Sequence, residues 1–334
     1  MYLCINKVIK NMETTKKYEL TSETIEFNGV TLHRIKALKD FSNVKVGDLG
    51  GWIEKEDNLS QMGDAWVYSN AKVYGNACIC NNAKVYNNVK VSDDAQVFGD
   101  AEIFGNAQVS DNAVAFGESK IYGDAHIYGD AKVFGNAQVY SNAKVFGNAQ
   151  VYSNAKVCGD AIVCGDAIVF GNAQVYGSAE VYGNAKVYDN AIAFSKAQVY
   201  DYARVFGFAL VCGSAEIYGN AEVHGDAQVY GDAKVYNHAE VYGNAIVCGD
   251  AIVFGNAVIR GNAKVCCGAD YITFKNFWSS GRHFTWTRSN NMWSVGCFYG
   301  TGKELIEKAY ADSEKSGKEY EKIVRYVDSI LADK

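Results

Sequence analysis

A six-residue pattern repeats along most of this chain without a single insertion or deletion. Its anchor is an apolar residue, first Val67 and last Val265, and 32 of the 34 anchors are Val or Ile. The two exceptions are Ala115 and Ala193, and the residue two positions before the anchor is Ala in all but two units. The unit reads Ala-x-Val-aromatic-Gly-Asn/Asp. This regularity constrains the architecture far more tightly than it constrains the function.

The spacing within the unit predicts a short strand followed by a tight corner. Ala and the anchor are two positions apart, so both point to the same side of a strand. Gly tolerates positive φ, and Asn or Asp can bond its own backbone at the corner. Three units close a triangular coil that buries the apolar side, and the next coil stacks at about 4.8 Å. The chain is therefore predicted to be an all-β solenoid, a left-handed parallel β-helix of about eleven three-sided coils.

This region resembles the hexapeptide-repeat (left-handed β-helix) superfamily over about 205 residues. In the acyltransferases of that superfamily the position after the anchor is usually small or acidic, whereas here it is mostly Tyr or Phe. The segments before the repeat resemble a narrower subgroup found in bacterial genomes and their phages or prophages, whose members are often labelled transferases by fold alone. The segments that carry this narrower resemblance are Lys17–Leu20, Arg34–Leu38, Gly47–Glu54 and Asn58–Ser60.

The chain is predicted to comprise three segments. Residues 1–64 form an N-terminal leader and cap, residues 65–269 the β-helix, and residues 270–334 a C-terminal α+β domain. Because the end of a solenoid exposes unpaired strands, we expect apolar residues of the leader to cover the first coil. These residues are Leu49, Trp52, Ile53 and Leu59.

The C-terminal segment predicts a three-stranded meander followed by two helices. Alternating apolar residues suggest strands at Tyr271–Trp278, Arg282–Arg288 and Met292–Tyr299. Thr301 and Glu304 have the spacing of a capping box, which predicts a helix start. The last helix carries one apolar stripe, formed by Tyr320, Ile323, Val324, Val327 and Leu331.

Composition excludes several classes of function. The net charge is −6 with mixed signs and no Lys/Arg stripe, which argues against a nucleic-acid partner. No apolar run is long enough to span a membrane. Met1–Lys10 is too short and too charged for a secretory signal, and Met12 is an alternative initiator. We expect a cytoplasmic protein, located in the bacterial host cell if a phage encodes it.

The ten cysteines do not form a recognisable framework. Eight lie in the repeat, mostly at the outward aromatic position, and none has Cys-x-x-Cys or Cys/His ligand spacing. We expect them to be reduced, small apolar substitutes, rather than a metal site or a set of disulfides. No metal and no cofactor is predicted.

Aromatic residues at the position after the anchor recur 18 residues apart and are predicted to stack in columns. Two interpretations remain open. The rings can stabilise the ladder as cross-strand pairs do, or they can form a contact surface for a protein. We rank stacking of a carbohydrate on the rings last. Three such columns begin at Tyr68, at Phe98 and at Tyr182.

One coil departs from the corner consensus. Lys196, Tyr202 and Phe208 replace Asn or Asp in three consecutive units, next to the undersized anchor Ala193. Successive deviations in a regular lattice are unlikely to be independent, and they indicate either decay of the repeat with compensation or a local interaction site.

Catalysis receives little support from the histidines. Hexapeptide acyltransferases commonly use a His as general base, with loops extruded from the coils completing the site. No loop is extruded within this repeat, and only His238 of the five histidines occupies a corner. His238 is the weak candidate, and no catalytic residue is assigned.

We therefore favour a non-enzymatic scaffold or binding protein, phage- or prophage-associated, that acts through protein–protein contact or self-association as a homo-oligomer. Its C-terminal segment is expected to engage the partner. The alternative, implied by the superfamily resemblance alone, is a trimeric acyl-CoA-dependent acyltransferase. The partner and the oligomeric state stay open. The residues expected to bind in the C-terminal segment are Trp278, Trp286, Trp293 and Phe298.

Overall fold

A computed structural model describes residues 16–332 of the chain. The expectations about Met1–Lys10 and about Met12 as an initiator therefore lie outside the described residues. The chain divides into two compact units, Met1–Ser195 and Lys196–Lys334.

The leader forms three strands that open the first unit. β1 (Tyr18–Phe27) and β2 (Val30–Ala37) make an antiparallel hairpin around Asn28 and Gly29, both with positive φ. β3 (Leu49–Ile53) pairs antiparallel with β2. On its other side β3 pairs in parallel with the strand Lys72–Val73 of the repeat. The leader thus adds its own strand to one sheet of the solenoid.

The repeat forms 34 strands of two residues each, β4 to β37. Each consists of an anchor and the residue before it, from β4 (Trp66–Val67) and β5 (Lys72–Val73) at six-residue steps to β37 (Lys264–Val265). β4 to β25 belong to the first unit and β26 to β37 to the second. Within each unit every strand pairs in parallel with the third strand along, so residues 18 apart are neighbours on one of three sheets. The predicted three-sided left-handed solenoid is confirmed.

The core consists of the inward side of the repeat. All anchors are fully buried, including the undersized Ala115 and Ala193. The residue two positions earlier in each unit is also buried, whether it is Ala or one of the two exceptions, Val89 and Ser119. A fully buried valine contributes about 1.5–3 kcal/mol relative to an exposed one. Because the same two positions supply the core at every step, the interior needs no contribution from the outward side chains.

The N-terminal cap supplies hydrogen-bond donors to carbonyl groups at the start of the solenoid. Each backbone N–H bonds to a carbonyl one coil later, as from Trp66 to Ala83 at 3.1 Å. A carbonyl of the first coil therefore lacks a backbone partner unless the leader supplies one, as Trp52 does for Ala71. Lys17, which is 1% exposed, donates from Nζ to the carbonyl of Ala65 at 2.9 Å, and the Tyr18 hydroxyl donates to Leu59 at 2.7 Å. Burial lowers the pKa of Lys17 to about 8. These side chains satisfy acceptors that water would otherwise reach.

Three of the four apolar leader residues lie where the sequence predicted them. Trp52, Ile53 and Leu59 are buried, and Leu59 forms a parallel bridge with Ile79. Leu49 is 53% exposed, so its predicted role in covering the coil is wrong. It is the first residue of β3, before the strand turns its side chains onto the first coil.

The C-terminal domain is a four-stranded antiparallel sheet followed by two helices. The strands are β38 (Tyr271–Lys275), β39 (His283–Thr287), β40 (Met292–Val295) and β41 (Phe298–Gly300), in that spatial order. The third predicted strand is divided because Gly296 turns the chain with φ +54°. The helices are α1 (Gly302–Asp312) and α2 (Glu314–Ala332).

The predicted helix signals are both confirmed. The Thr301 side chain accepts a hydrogen bond from the backbone of Glu304, whose carboxylate accepts from the Thr301 N–H at 2.8 Å. These bonds to Thr301 lower the pKa of the Glu304 carboxyl. On α2, Tyr320, Val324 and Val327 are buried against the sheet.

The C-terminal end of the solenoid is closed by acceptors. Its last strands have N–H groups with no following coil to bond. The Thr285 hydroxyl accepts from the Val258 N–H at 2.9 Å, and the Ser289 hydroxyl accepts from the Lys264 N–H at 2.6 Å. The Asp270 carboxylate accepts from the Cys266 N–H at 2.7 Å. This cap therefore supplies hydrogen-bond acceptors, whereas the N-terminal cap supplies donors.

One pair of cysteines contradicts the expectation of reduced thiols. Cys248 and Cys266 lie 18 residues apart in the same column and are joined by a disulfide. Stacked columns bring any two residues at this spacing side by side, which is why two outward cysteines meet here. The prediction of reduced cysteines is wrong for this pair.

Candidate functional site

The most extensive aromatic surface of the second unit lies on one sheet. We define the β26 face as the outward side of β26 (Gln198–Val199), β29 (Glu216–Ile217), β32 (Lys234–Val235) and β35 (Ile252–Val253). The residue after each of these strands is aromatic. The four rings, which we call the Tyr200 ladder, are Tyr200, Tyr218, Tyr236 and Phe254.

The rings of the Tyr200 ladder stack face to face along the whole unit. Successive centroids are separated by 4.9, 4.7 and 5.6 Å, and the interplanar angles are 15° or less. The spacing follows from the coil repeat of about 4.8 Å. Burial between neighbouring rings, with Tyr236 adding to it, raises the pKa of the Tyr218 hydroxyl. The Tyr218 hydroxyl therefore stays protonated in the physiological range.

Polar side chains beside the ladder hold one another in place. The Tyr200 hydroxyl donates to the Glu216 carboxylate at 3.1 Å, and the Lys234 ammonium bonds the same carboxylate at 2.8 Å. The hydrogen bond to Glu216 raises the pKa of Lys234. Exposed ion pairs of this kind add little stability, so this pair orients the face more than it stabilises it.

The β26 face becomes apolar at its C-terminal end. Ile252 is 43% exposed and Phe254 is 50% exposed, although charged or polar residues occupy the position of Ile252 in the other three strands. Tyr202, on the corner that follows Tyr200, is 62% exposed. The fold accepts polar residues at these positions. Large exposed apolar side chains there are typical of contact surfaces.

The three unusual corners do not form one site. Lys196 precedes β26, Tyr202 lies between β26 and β27 (Arg204–Val205), and Phe208 lies between β27 and β28 (Leu210–Val211). Consecutive corners occupy three different edges of a three-sided coil, so the three side chains point in three directions. Their backbone N–H groups keep the regular bonds to Gly213, Gly219 and Gly225. The fold is unchanged at these corners, and only Tyr202 borders the β26 face.

Phe208 marks a second, smaller apolar edge. Its side chain is 66% exposed, and it lies between the half-buried Phe206 and Leu210 in sequence. Lys196, the remaining corner, is also exposed.

The four C-terminal aromatic residues expected to bind a partner are largely interior. Trp286 and Trp293 are each 2% exposed and form the core of the domain, while Trp278 and Phe298 are partly buried against it. Packing explains their presence, because a small sheet and two helices need large side chains to fill the space between them. A partner therefore has no access to the rings of Trp286 and Trp293 in this structure.

His238 lacks the surroundings of a general base. It is exposed on a corner, where its backbone N–H donates to Gly255 at 2.9 Å. Among residues 16–332 no side chain bonds its imidazole and no carboxylate orients it. His224 is instead stacked between Phe206 and Tyr242 at 4.6 and 4.8 Å, where burial lowers its pKa.

The aromatic columns of the first unit stack in the same way. Tyr122 and Tyr140 lie 4.7 Å apart at an interplanar angle of 1°, and Phe116 and Phe134 lie 4.8 Å apart at 4°. These rings are half-buried. The stacking interpretation of the columns is therefore correct for the ladder itself, and the outer ring edges stay in contact with water.

Other classes of site lack support in the described part of the chain. Residues 16–332 contain no group of three His, Cys, Asp or Glu side chains placed to hold a metal ion. Over the same residues no helix has the length and apolar character needed to cross a membrane.

Comparison with known proteins gives one partial likeness. No protein-family profile matches the chain. A segment of 61 residues is 38% identical to a curated protein described as "Uncharacterized acetyltransferase YdcK" from Escherichia coli (strain K12). The match covers 16% of this chain and 19% of that protein, so the chain spans about a fifth of its relative's length. The β-solenoid and this likeness both fit a hexapeptide-repeat protein.

Proposed function

We propose that this protein is a non-enzymatic scaffold whose β26 face, bordered by Tyr202, binds another protein surface. The observation that carries the proposal is the exposure of Tyr202, Ile252 and Phe254 around a rigid aromatic ladder. The core consists only of inward residues, so these exposed side chains are not part of it. Stacked rings also lose little conformational entropy when a partner covers them, which favours binding.

The resemblance of the leader segments extends the proposal to a phage- or prophage-associated role. Those segments also have a structural role, because Lys17 donates to the Ala65 carbonyl of the first coil and Tyr18 donates to the Leu59 carbonyl of the leader. In this role the solenoid holds its aromatic face at a fixed geometry, and the partner is a protein or a second copy of the chain.

The second candidate is an acyl-CoA-dependent acyltransferase, and the likeness to the acetyltransferase from E. coli is the observation in its favour. The regular six-residue step from Val67 to Val265 leaves no extruded loop to complete a site within the repeat. His238 has no orienting acid among residues 16–332. These features support the scaffold over the enzyme.

The test uses a photo-crosslinking amino acid placed at position 202 of the full-length protein in its bacterial host. The matched control carries the same amino acid in place of Asn244, an exposed corner on another edge of the same unit. We expect a discrete crosslinked product from position 202 and none from position 244. Phe254→Lys, which adds a charge to the face, should abolish that product.

Light scattering coupled to size-exclusion chromatography distinguishes the two candidates. A mass that does not change with acetyl-CoA, together with crosslinking at position 202, supports the scaffold. A concentration-independent trimer that retains CoA, and loses acetyl transfer in His238→Ala, would establish the acyltransferase instead. Equal crosslinking at positions 202 and 244 would exclude the β26 face as the contact surface.

A further inference from the structure

The C-terminal domain contains a cleft that the scaffold role does not use. It has a volume of about 350 Å³ and opens between the sheet and the junction of α1 and α2. Cavities that hold small organic ligands have volumes of roughly 300–1,000 Å³. The cleft lies wholly within one compact unit, so its walls are fixed by the packed core of the domain.

One wall of the cleft is apolar. Val295 and Phe298 contribute from the sheet, and Leu305 contributes from α1. Phe298 is only partly buried against the core, which leaves part of its ring towards the cleft. A short hydrocarbon or an aromatic body fits this wall better than water does.

The lining of the cleft also includes two cations that have no partner among the described residues. Arg282 and Lys308 line the cleft, and neither forms an ion pair or a side-chain hydrogen bond within residues 16–332. Asp312 also lines the cleft, so the formal charge of its lining is +1. This balance suits a ligand with one negative charge better than a dianion, which Asp312 would repel.

Two largely buried residues present hydroxyl groups to the cleft. Ser316 is 9% exposed, and its hydroxyl has no hydrogen-bond partner among the described residues. Tyr320 is 7% exposed; its hydroxyl accepts from the Asn276 amide at 3.3 Å, which leaves its own proton free to donate. A hydroxyl can donate one hydrogen bond, so both side chains can donate to an acceptor that enters the cleft.

The donor side is held rigidly. Asn276 is 2% exposed, and its backbone N–H donates to the Arg282 carbonyl at 2.7 Å. Its side-chain amide also donates to the Ser279 hydroxyl at 2.9 Å. These bonds fix the turn that carries Arg282 and set the position of the Tyr320 hydroxyl.

From this arrangement we infer that the cleft binds a small amphipathic monocarboxylate. Its carboxylate accepts from the Ser316 and Tyr320 hydroxyls and is neutralised by Arg282 and Lys308. Its apolar body packs against Val295, Phe298 and Leu305. The inference is independent of the β26 face, because the two surfaces share no residue.

The test titrates the full-length protein with hexanoate and follows tryptophan fluorescence. Trp278 packs edge-on against Tyr320 at 5.2 Å and should report occupation of the cleft. We expect saturable binding of hexanoate and none of hexan-1-ol, which has the same body without the charge. Inorganic phosphate should bind at least tenfold more weakly than hexanoate.

Variants assign the binding to the cleft. Arg282→Gln should weaken hexanoate binding at least tenfold, while Arg288→Gln, a matched control outside the cleft, should leave it unchanged. Lys308→Gln, on the exposed side of α1, provides a second test if the first variant folds poorly. Equal affinity in Arg282→Gln, Lys308→Gln and the wild type would overturn the inference, and so would the absence of saturable hexanoate binding. Phosphate binding as tight as hexanoate would overturn the assignment to a carboxylate.

Discussion

Each corner of the solenoid depends on one residue with positive φ. Most are glycines, such as Gly213 at +72°, and the others are Ser, Asn or Asp, such as Asp201 at +57°. The corner residue after it supplies a second contact, for example Asn148, whose amide donates to the Asp166 carboxylate one coil later at 2.8 Å. Alternating a neutral donor with a carboxylate avoids stacking like charges, which would be destabilising.

Gly213 and Gly255 allow the effect of φ to be separated from that of coil packing. Their φ values are +72° and +71°, so Ala strains both backbones by about 1–2 kcal/mol. At Gly213 the new Cβ would also lie 2.8 Å from the Gly231 backbone, whereas at Gly255 it would meet nothing within 4 Å. Gly213→Ala should therefore cost about 1–3 kcal/mol more than Gly255→Ala. Thermal melts of the two variants, followed by circular dichroism, measure the difference; equal melting temperatures would contradict it.

At the scale of the element, a strand of two residues is too short to be stable alone. Its stability comes from its two parallel neighbours and from the ring that follows it. Offset or parallel aromatic pairs contribute about 0.5–1.5 kcal/mol beyond the area they bury. The Tyr200 ladder is therefore both a stabilising element and the surface that we propose for binding.

The coupling between Tyr218 and Tyr236, whose centroids are 4.7 Å apart, can be measured directly. Each ring is replaced by Ala singly and together, and the coupling free energy is expected to be about 0.5–1.5 kcal/mol. Tyr218→Phe is the control, because it keeps the ring and removes only the hydroxyl. A double variant whose loss of stability equals the sum of the single losses would show that the rings are merely adjacent.

Elements that are specified by a short sequence pattern could be predicted from the sequence. The six-residue period predicts every strand of the repeat, and Thr301 with Glu304 predicts the start of α1. The separation of Lys196, Tyr202 and Phe208 onto three edges also follows from the period. The cleft around Arg282 has no local signal, because it arises where two helices pack against a sheet. The break at Gly296 likewise depends on how the strands pair.

At the scale of the whole molecule, the solenoid needs two chemically different caps. Parallel ladders leave carbonyls at the first coil and N–H groups at the last. Lys17 supplies a donor to the first coil, and the last strands receive acceptors from Thr285, Ser289 and Asp270. Each cap belongs to its own compact unit, and each covers strands that would otherwise pair with another chain.

The Thr285 hydroxyl tests the importance of the C-terminal cap. Thr285→Val keeps the shape but leaves the Val258 N–H without an acceptor, which should cost roughly 1–3 kcal/mol. Thr273→Val is the matched control, since Thr273 is the exposed cross-strand partner of Thr285. Hydrogen exchange of the Val258 amide, together with a thermal melt, provides the measurement. Slow exchange at Val258 in Thr285→Val would show that the hydroxyl is dispensable.

The pairing of every third strand also determines how such a gene can change its length. Gly135–Val145 and Gly147–Val157 have identical sequences and start 12 residues apart, as tandem duplication would leave them. An insertion of any multiple of six residues keeps every anchor pointing inward, so the core tolerates it. Only an insertion of a multiple of 18 residues, which is a whole number of coils, returns the later side chains to their original faces. Recombination between such repeats can thus generate new combinations of surface residues while the interior remains the same.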